Sequence, residues 1–190
     1  MRQAISADNK QIQQDSLDTL QAILGPLVLL NNPLSVEALT SLLNVSVTDV
    51  EALLIPLQSV LSVPKSKDAP IKSFHLSFRD FLVDLELQKE SEFWVDEVKS
   101  HSRLARSCIL LLSASTLKED VCGVGALGTR RKSVEQTRIA KAIPEAVAYA
   151  CCYWAQHSIA SREDITDNRV VHDFLRHRFL HWMEVMSWLG

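Results

Sequence analysis

The alternation of apolar and polar positions predicts three helices in the first 60 residues. Apolar residues recur at intervals of three and four over 17–28, 36–43 and 47–57, as on one face of an amphipathic helix. Ser35 precedes the second helix and is a favoured N-cap residue, because its hydroxyl can accept a hydrogen bond from a free backbone amide. Asn44 is the predicted end of that helix.

Two prolines are expected to distort these helices. Pro26 follows Gly25 within the first helix and removes one backbone hydrogen bond, which predicts a kink. The third helix begins at Ser46 or Thr48, and Pro56 lies late in it, where we expect a bend.

A β-hairpin and a fourth helix are predicted next. Residues 61–63 and 71–74 are typical of two short strands, joined by the polar loop 64–70. Ser77 and the three residues after it fit the capping-box pattern of a helix start. Three helices, a hairpin and a further helix are the order of a winged helix, which predicts a winged-helix-like domain over 1–90.

Past residue 90 the pattern predicts helices only, at 93–112, 133–142, 145–157 and 168–189. The third of these is apolar on nearly every side and is expected to be buried. We therefore predict a mainly α protein: a winged helix (three helices plus a β-hairpin wing and a fourth helix) followed by an α-helical bundle, the helical connecting domain, over 91–190.

Composition and cysteine usage favour an intracellular, cytoplasmic protein. The 190 residues are 47% hydrophobic and 23% charged, with a net charge of −3, so charge alone gives no surface for a polyanion. Four cysteines without a C-x-x-C pair indicate a reducing compartment. The chain begins without a signal-peptide profile, and the apolar run 24–30 is too short to span a membrane.

One stretch carries a family resemblance. The sequence F-H-L-S-F-R-D-F-L at 74–82 resembles the end of the winged-helix domain in NACHT-type nucleotide-switch proteins of the STAND class. The similarity is greatest to fungal, NLR-like heterokaryon-incompatibility receptors, which usually continue into WD repeats. The phrases F-W-V-D-E at 93–97 and F-L-H-W at 179–182 match the same pattern, as does Tyr149-Ala150-Cys151 followed by Trp154.

The resemblance implies that His75 contributes to a nucleotide-dependent switch in signal transduction. His75 stands where the family's histidine contacts the β-phosphate of bound ADP and keeps the resting state closed. That contact requires a NACHT nucleotide-binding domain, and the resemblance implies this domain and a WD-repeat sensor as partners, in cis or in trans. Residues 91–190 would link the winged helix to the sensor.

The nucleotide-binding loop of that family is not found in this sequence. The Walker lysine and the Mg²⁺ ligands are missing, so we expect the chain alone to bind ATP or ADP feebly or not at all and to have no cofactor of its own. A free chain is expected to expose apolar surfaces and to self-associate. A gene fragment and a stand-alone adaptor acting in trans both remain open, and the coding sequence upstream of Met1 would separate them.

Two other segments carry candidate chemistry. Residues 123–128 read G-x-G-x-x-G, but a dinucleotide site needs a strand before the first glycine, and a helix precedes it here, so a surface loop is the favoured interpretation. Arg130, Arg131 and Lys132 precede Ser133, which makes Ser133 a candidate phosphorylation site. The alternative for this segment is a solvated basic loop.

No metal or catalytic site is predicted. Asp173, His177, His181 and Glu184 share one helical face, but the H-E-x-x-H pattern is missing and a polar stripe explains the spacing. There is no G-x-S-x-G nucleophile motif, so we expect no enzyme activity.

A winged helix also suggests DNA binding, through its third helix. Residues 46–60 offer Asp49 and Glu51 but no lysine or arginine, and these carboxylates would be repelled by phosphate. We therefore expect no nucleic-acid partner.

Overall fold

The computed structural model describes residues 17–64, 66, 68–73, 76–86, 88, 91, 93–114, 117–125, 128–164 and 170–190. Over these residues the chain is mainly α, as predicted.

The first half contains short helices and one hairpin. Its elements are α1 (17–28), α2 (Val36–Leu43), α3 (Val47–Leu54), a 3₁₀ helix (Pro56–Ser59), β1 (Leu61–Ser62), β2 (Lys72–Ser73) and α4 (Leu76–Val83). The second half contains the longer helices. They are α5 (Glu97–Ser113), α6 (Gln136–Ala142), α7 (Glu145–Ala160) and α8 (Val170–Leu189), with a 3₁₀ turn at Arg131–Ser133.

The predicted capping serines of α2 and α3 are confirmed. Ser35 Oγ accepts a hydrogen bond from the Ala38 amide at 3.1 Å, and Ser46 Oγ accepts one from the Asp49 amide at the same distance. The third helix therefore begins after Ser46 and not at Thr48. Asn44 ends α2 in the left-handed conformation, with φ at 53°.

Two local predictions are wrong. Pro56 does not bend α3, because α3 ends at Leu54 and Pro56 opens a separate 3₁₀ helix instead. Proline tolerates the first turn of a helix, where its missing amide has no intrahelical partner. Ser77 does not cap α4, since the helix already includes Leu76.

The hairpin is antiparallel, with Leu61 opposite Ser73 and Ser62 opposite Lys72. A further antiparallel bridge joins Ser35 to Pro70, and the Ile71 amide donates to the Leu34 carbonyl at 2.9 Å. The segment between α1 and α2 therefore lies beside the returning arm of the hairpin.

The buried apolar residues of the two halves form one cluster. α5 packs mainly on α7 and α8, while α2 packs on both α5 and α7. Leu39 and Leu42 of α2 belong to the same core as Leu104 of α5 and Ala150 of α7. No helix in the described part of the chain is both long enough and apolar enough to cross a membrane.

α1 meets α5 at a close approach. A Cβ atom on Gly25 would lie 2.3 Å from Ser100 Oγ and 3.2 Å from Ser100 Cβ. Gly25 therefore permits a backbone-to-helix contact that no larger residue allows without movement.

Candidate functional site

The residue that the resemblance singles out, His75, lies outside the described residues. In the sequence it stands between Ser73, which ends β2, and Leu76, which begins α4. The contact of His75 with a nucleotide therefore stays a prediction.

The helix after His75 presents apolar side chains to solvent. Phe81 is 57% exposed, and Leu85, just past the end of α4, is 73% exposed. Leu82 is buried instead, and its carbonyl accepts a hydrogen bond from the Val95 amide at 2.8 Å. α4 is thus anchored on one side, with Phe81 left available for a partner.

An ion pair connects α4 to the bundle. Arg79 Nη2 lies 3.3 Å from Glu97 Oε1 in the first turn of α5, and both side chains are about half exposed. Exposed pairs of this kind contribute roughly 0–1 kcal/mol, so the contact orients the two helices more than it stabilises them.

A polar network centred on the buried Tyr149 and His157 joins the segment after α1 to the bundle. The Asn31 amide donates to the Tyr149 hydroxyl at 3.3 Å, and that hydroxyl lies 2.7 Å from His157 Nε2. His157 Nδ1 in turn lies 2.9 Å from His101 Nδ1 on α5. Because Tyr149 accepts from Asn31, its proton can go to His157, whose own Nδ1 proton then goes to His101.

Burial keeps this network neutral. It lowers the pKa of His157 to about 4, with a further lowering from the neighbouring His101. The pKa of His101 is also lowered by burial, an effect that Glu97 opposes and Arg79 reinforces. Burial raises the pKa of Tyr149. The hydrogen-bonded groups of Asn31, Tyr149, His157 and His101 therefore form an uncharged connection between the two halves near neutral pH.

Neighbouring polar contacts strengthen the same junction. Asn31 Nδ2 donates to Gln156 Oε1, and Asn32 Nδ2 donates to Tyr153 Oη at 2.6 Å. Asn31 and Asn32, which follow α1, thus contact α7 at two places. The junction consists of hydrogen bonds between groups more than 100 positions apart in sequence.

Ser35 makes a second junction. Its hydroxyl donates to Glu145 Oε2 at 2.5 Å, and its amide lies 3.3 Å from the same oxygen. Glu145 belongs to the first turn of α7, where a carboxylate is favoured by the helix dipole. The groove beside this contact is acidic, with Glu37 and Asp68 in its walls, and so suits no phosphate.

The glycine loop is a surface loop, as predicted, over its described residues. Gly123, Gly125 and Gly128 are exposed and have positive φ angles. The Asp120 carboxylate accepts from the amides of Val124 and Gly125 at 2.7 and 2.8 Å. Amides that already bind a carboxylate are not free to bind pyrophosphate.

The polar stripe of α8 has separate structural partners. Glu184 accepts from the amides of Asp120 and Val121, at 3.2 and 2.9 Å. His177 Nδ1 lies 2.8 Å from the Asp173 carbonyl. Across the described ranges no group of three or more His, Cys, Asp or Glu side chains could hold a metal ion.

Ser133, the other candidate site residue, is exposed at the end of the 3₁₀ turn before α6. Its hydroxyl donates to the Arg130 carbonyl at 2.6 Å. Ser133 makes no hydrogen bond to Asn31, Tyr149, His157 or His101 among the described contacts.

Sequence reasoning missed His157. It lies in the apolar helix of the bundle, where it is 1% exposed, and its partners are His101 of α5 and Tyr149 of its own helix, which in turn accepts from Asn31. The available signal was a histidine in an otherwise apolar helix, because a buried imidazole must find hydrogen-bond partners.

Comparison of the chain with protein-family models, with curated proteins and with solved structures found no match in any of the three.

Proposed function

We propose that this chain is a non-catalytic regulatory module of a NACHT-type signal-transduction NTPase. Its first half would act as a winged helix that holds the ADP-bound resting state, and its helical half would link that domain to a sensor. The four free cysteines favour the reducing cytoplasm as its location.

The observation that carries the proposal is the place of the F-H-L-S-F-R-D-F-L stretch in the fold. In the sequence it follows β2 directly and includes nearly all of α4. The elements before it run helix, bridge segment, two helices and hairpin, with the bridge at Ser35–Pro70 beside the hairpin. This order supports a winged helix, and in the sequence His75 falls between β2 and α4.

The exposed side of α4 supports a docking role. Phe81 and Leu85 present apolar surface close in sequence to His75. A nucleotide-binding domain seated on α4 would cover these side chains and bring the imidazole toward its nucleotide. The polar junction at Tyr149 and His157 would then pass a change in the winged helix to the bundle.

DNA binding is the weaker alternative. The exposed residues of α3 include Asp49 and Glu51, and α3 contains no lysine or arginine. A recognition helix must offer hydrogen-bond donors to bases and phosphates, whereas these carboxylates would repel the DNA backbone.

Calorimetric titration tests the proposal. The chain is titrated into a purified fungal NACHT nucleotide-binding domain loaded with ADP, and ADP and ATP are titrated separately into the chain. We expect binding in the first titration and none in the second. Phe81→Ser is expected to weaken binding at least tenfold, because a buried aromatic contact is lost.

Ile159→Ser is the matched control, since Ile159 is a 77% exposed apolar residue on α7. It should leave affinity unchanged. Failure of the chain to bind the ADP-loaded domain would contradict the proposal, as would tight nucleotide binding by the chain alone. An adaptor acting in trans would give the same binding without any covalent link.

A further inference from the structure

The segment before α6 concentrates positive charge beside one serine. Arg130, Arg131 and Lys132 form the only run of three successive Lys or Arg residues in the 190-residue sequence, and Ser133 follows directly. All four residues are exposed. Among the described residues, none of these three basic side chains forms a salt bridge.

Within the described part of the chain, the hydrogen bonds that hold Ser133 are all local. Its amide donates to the Arg130 carbonyl at 2.9 Å, and the next amide, of Val134, donates to the Arg131 carbonyl at 3.1 Å. The Ser133 hydroxyl donates to the Arg130 carbonyl as well. These hydrogen bonds all lie within the turn, so opening it would extend the segment without breaking a hydrogen bond from Ser133 to another helix.

Arg131 also contacts the far end of the bundle. A Cβ atom placed on Gly190 would lie 2.6 Å from Arg131 Nη1, so the guanidinium lies against the backbone that ends α8. The last turn of α8 has no basic residue of its own. Arg131 therefore supplies positive charge where the free carbonyls and the helix dipole favour it.

We propose that Ser133 is a phosphorylation site for a serine kinase that selects basic residues before its target, and that its phosphate draws Arg131 away from α8. In the transfer, Ser133 Oγ forms a bond to the γ-phosphorus of ATP as the bond to the bridging oxygen of ADP breaks. The hydroxyl proton passes to a carboxylate of the kinase, and ADP leaves.

The consequence for α8 follows from competition for one guanidinium. A phosphoserine carries nearly two negative charges and three acceptor oxygens, and Arg131 is two residues away on the same exposed turn. The dipole of α8 contributes a partial negative charge of about half a unit at this end of the helix. The phosphate is the stronger partner, and the last turn of α8 should then open more often.

The test uses the full chain, Mg²⁺-ATP and a purified basophilic serine kinase. Intact mass and peptide mapping should show one phosphate, on Ser133, and none in Ser133→Ala. Ser187→Ala is the matched control, because Ser187 is an exposed serine preceded by Glu184, Val185 and Met186, and it should be phosphorylated like the wild type.

Hydrogen exchange then reads the effect on α8. Amides of residues 186–190 should exchange several-fold faster in the phosphorylated chain, and Arg131→Ala should reproduce that increase without phosphate. A phosphate found elsewhere, or none, overturns the site. A phosphate on Ser133 with unchanged exchange at the end of α8 overturns the coupling to Arg131.

Discussion

At the scale of single residues, one buried imidazole connects α7 to α5 directly and, through Tyr149, to the segment after α1. His157 uses both ring nitrogens, one toward Tyr149 and one toward His101. Protonating it would place a charge in a site that is 1% exposed and would turn an accepting nitrogen into a donor. The stability that this network contributes therefore decreases as the pH is lowered.

The free energy of unfolding should fall as the pH decreases from about 6.5 to about 4. The folded-state pKa of His157 is lowered to about 4 from 6.5, so in this window the unfolded chain binds more protons. The loss from this group should reach about 3 kcal/mol below pH 4. Urea denaturation at a series of pH values measures it.

Two variants isolate this contribution. His157→Gln retains a polar side chain but cannot titrate, so its curve should be flatter than that of the wild type over the same window. His177→Gln alters an exposed histidine of α8 and should keep the wild-type slope. Equal slopes for wild type and His157→Gln would show that the imidazole is not held neutral.

The contacts of His157 could not be read from the sequence. His101 is 56 positions away, and Asn31 is 118 positions from Tyr149, so no local pattern connects them. Periodicity predicted the helices that carry these residues, but helix orientation about its axis depends on packing against other helices. Long-range polar partners follow only from that packing.

At the scale of elements, Ser35 combines two functions. It caps α2 and also donates to Glu145 of α7. The cap was predictable because Ser35 directly precedes an apolar helical period, whereas the contact with α7 was not. The same local reasoning failed at Pro56 and Ser77. The helix α3 ends two residues before Pro56, and α4 begins one residue before Ser77.

Replacing Ser35 with alanine should cost more stability than replacing Ser46. Both serines accept an amide hydrogen bond at 3.1 Å, a cap worth about 1 kcal/mol. Ser35→Ala also removes the bond to Glu145 and should cost about 1 kcal/mol more. The Ser46 hydroxyl also lies 2.7 Å from the exposed Thr48 hydroxyl. Chemical denaturation measures both variants, and equal losses would mean that the contact with α7 contributes no more than this exposed bond.

Gly25→Ala should destabilise the chain by about 1–3 kcal/mol, because the new Cβ would overlap Ser100 Oγ across the contact of α1 with α5. In an unobstructed helix the same change would stabilise by nearly 1 kcal/mol. Thermal denaturation shows whether Gly25→Ala lowers or raises the stability of the chain. Adding Ser100→Ala should restore part of the loss, and a stabilised Gly25→Ala variant would contradict the close approach.

At the scale of the whole molecule, the two predicted domains share one hydrophobic cluster. Helix α2 from the first half packs on α5 and α7 from the second. Regions that share a core lose stabilising contacts together when either opens. The boundary near residue 90 therefore remains a sequence prediction, while the packing predicts a single cooperative unit.

This cooperativity can be measured with two probes. All four tryptophans, Trp94, Trp154, Trp182 and Trp188, lie in the second half, whereas circular dichroism at far-ultraviolet wavelengths reports the helices of both halves. The fluorescence and dichroism transitions should coincide in urea. A separate dichroism transition without a change in fluorescence would show that the first half unfolds by itself.

The most direct test of the proposed function follows ADP release from a NACHT nucleotide-binding domain. Saturating chain should slow the dissociation of a fluorescent ADP analogue by about tenfold, within the usual range of coupling between sites. His75→Ala should abolish that slowing, and His177→Ala should retain it. The proposed function would be contradicted if the chain left the rate of ADP release unchanged. It would also be contradicted if His75→Ala slowed ADP release as much as the wild type does.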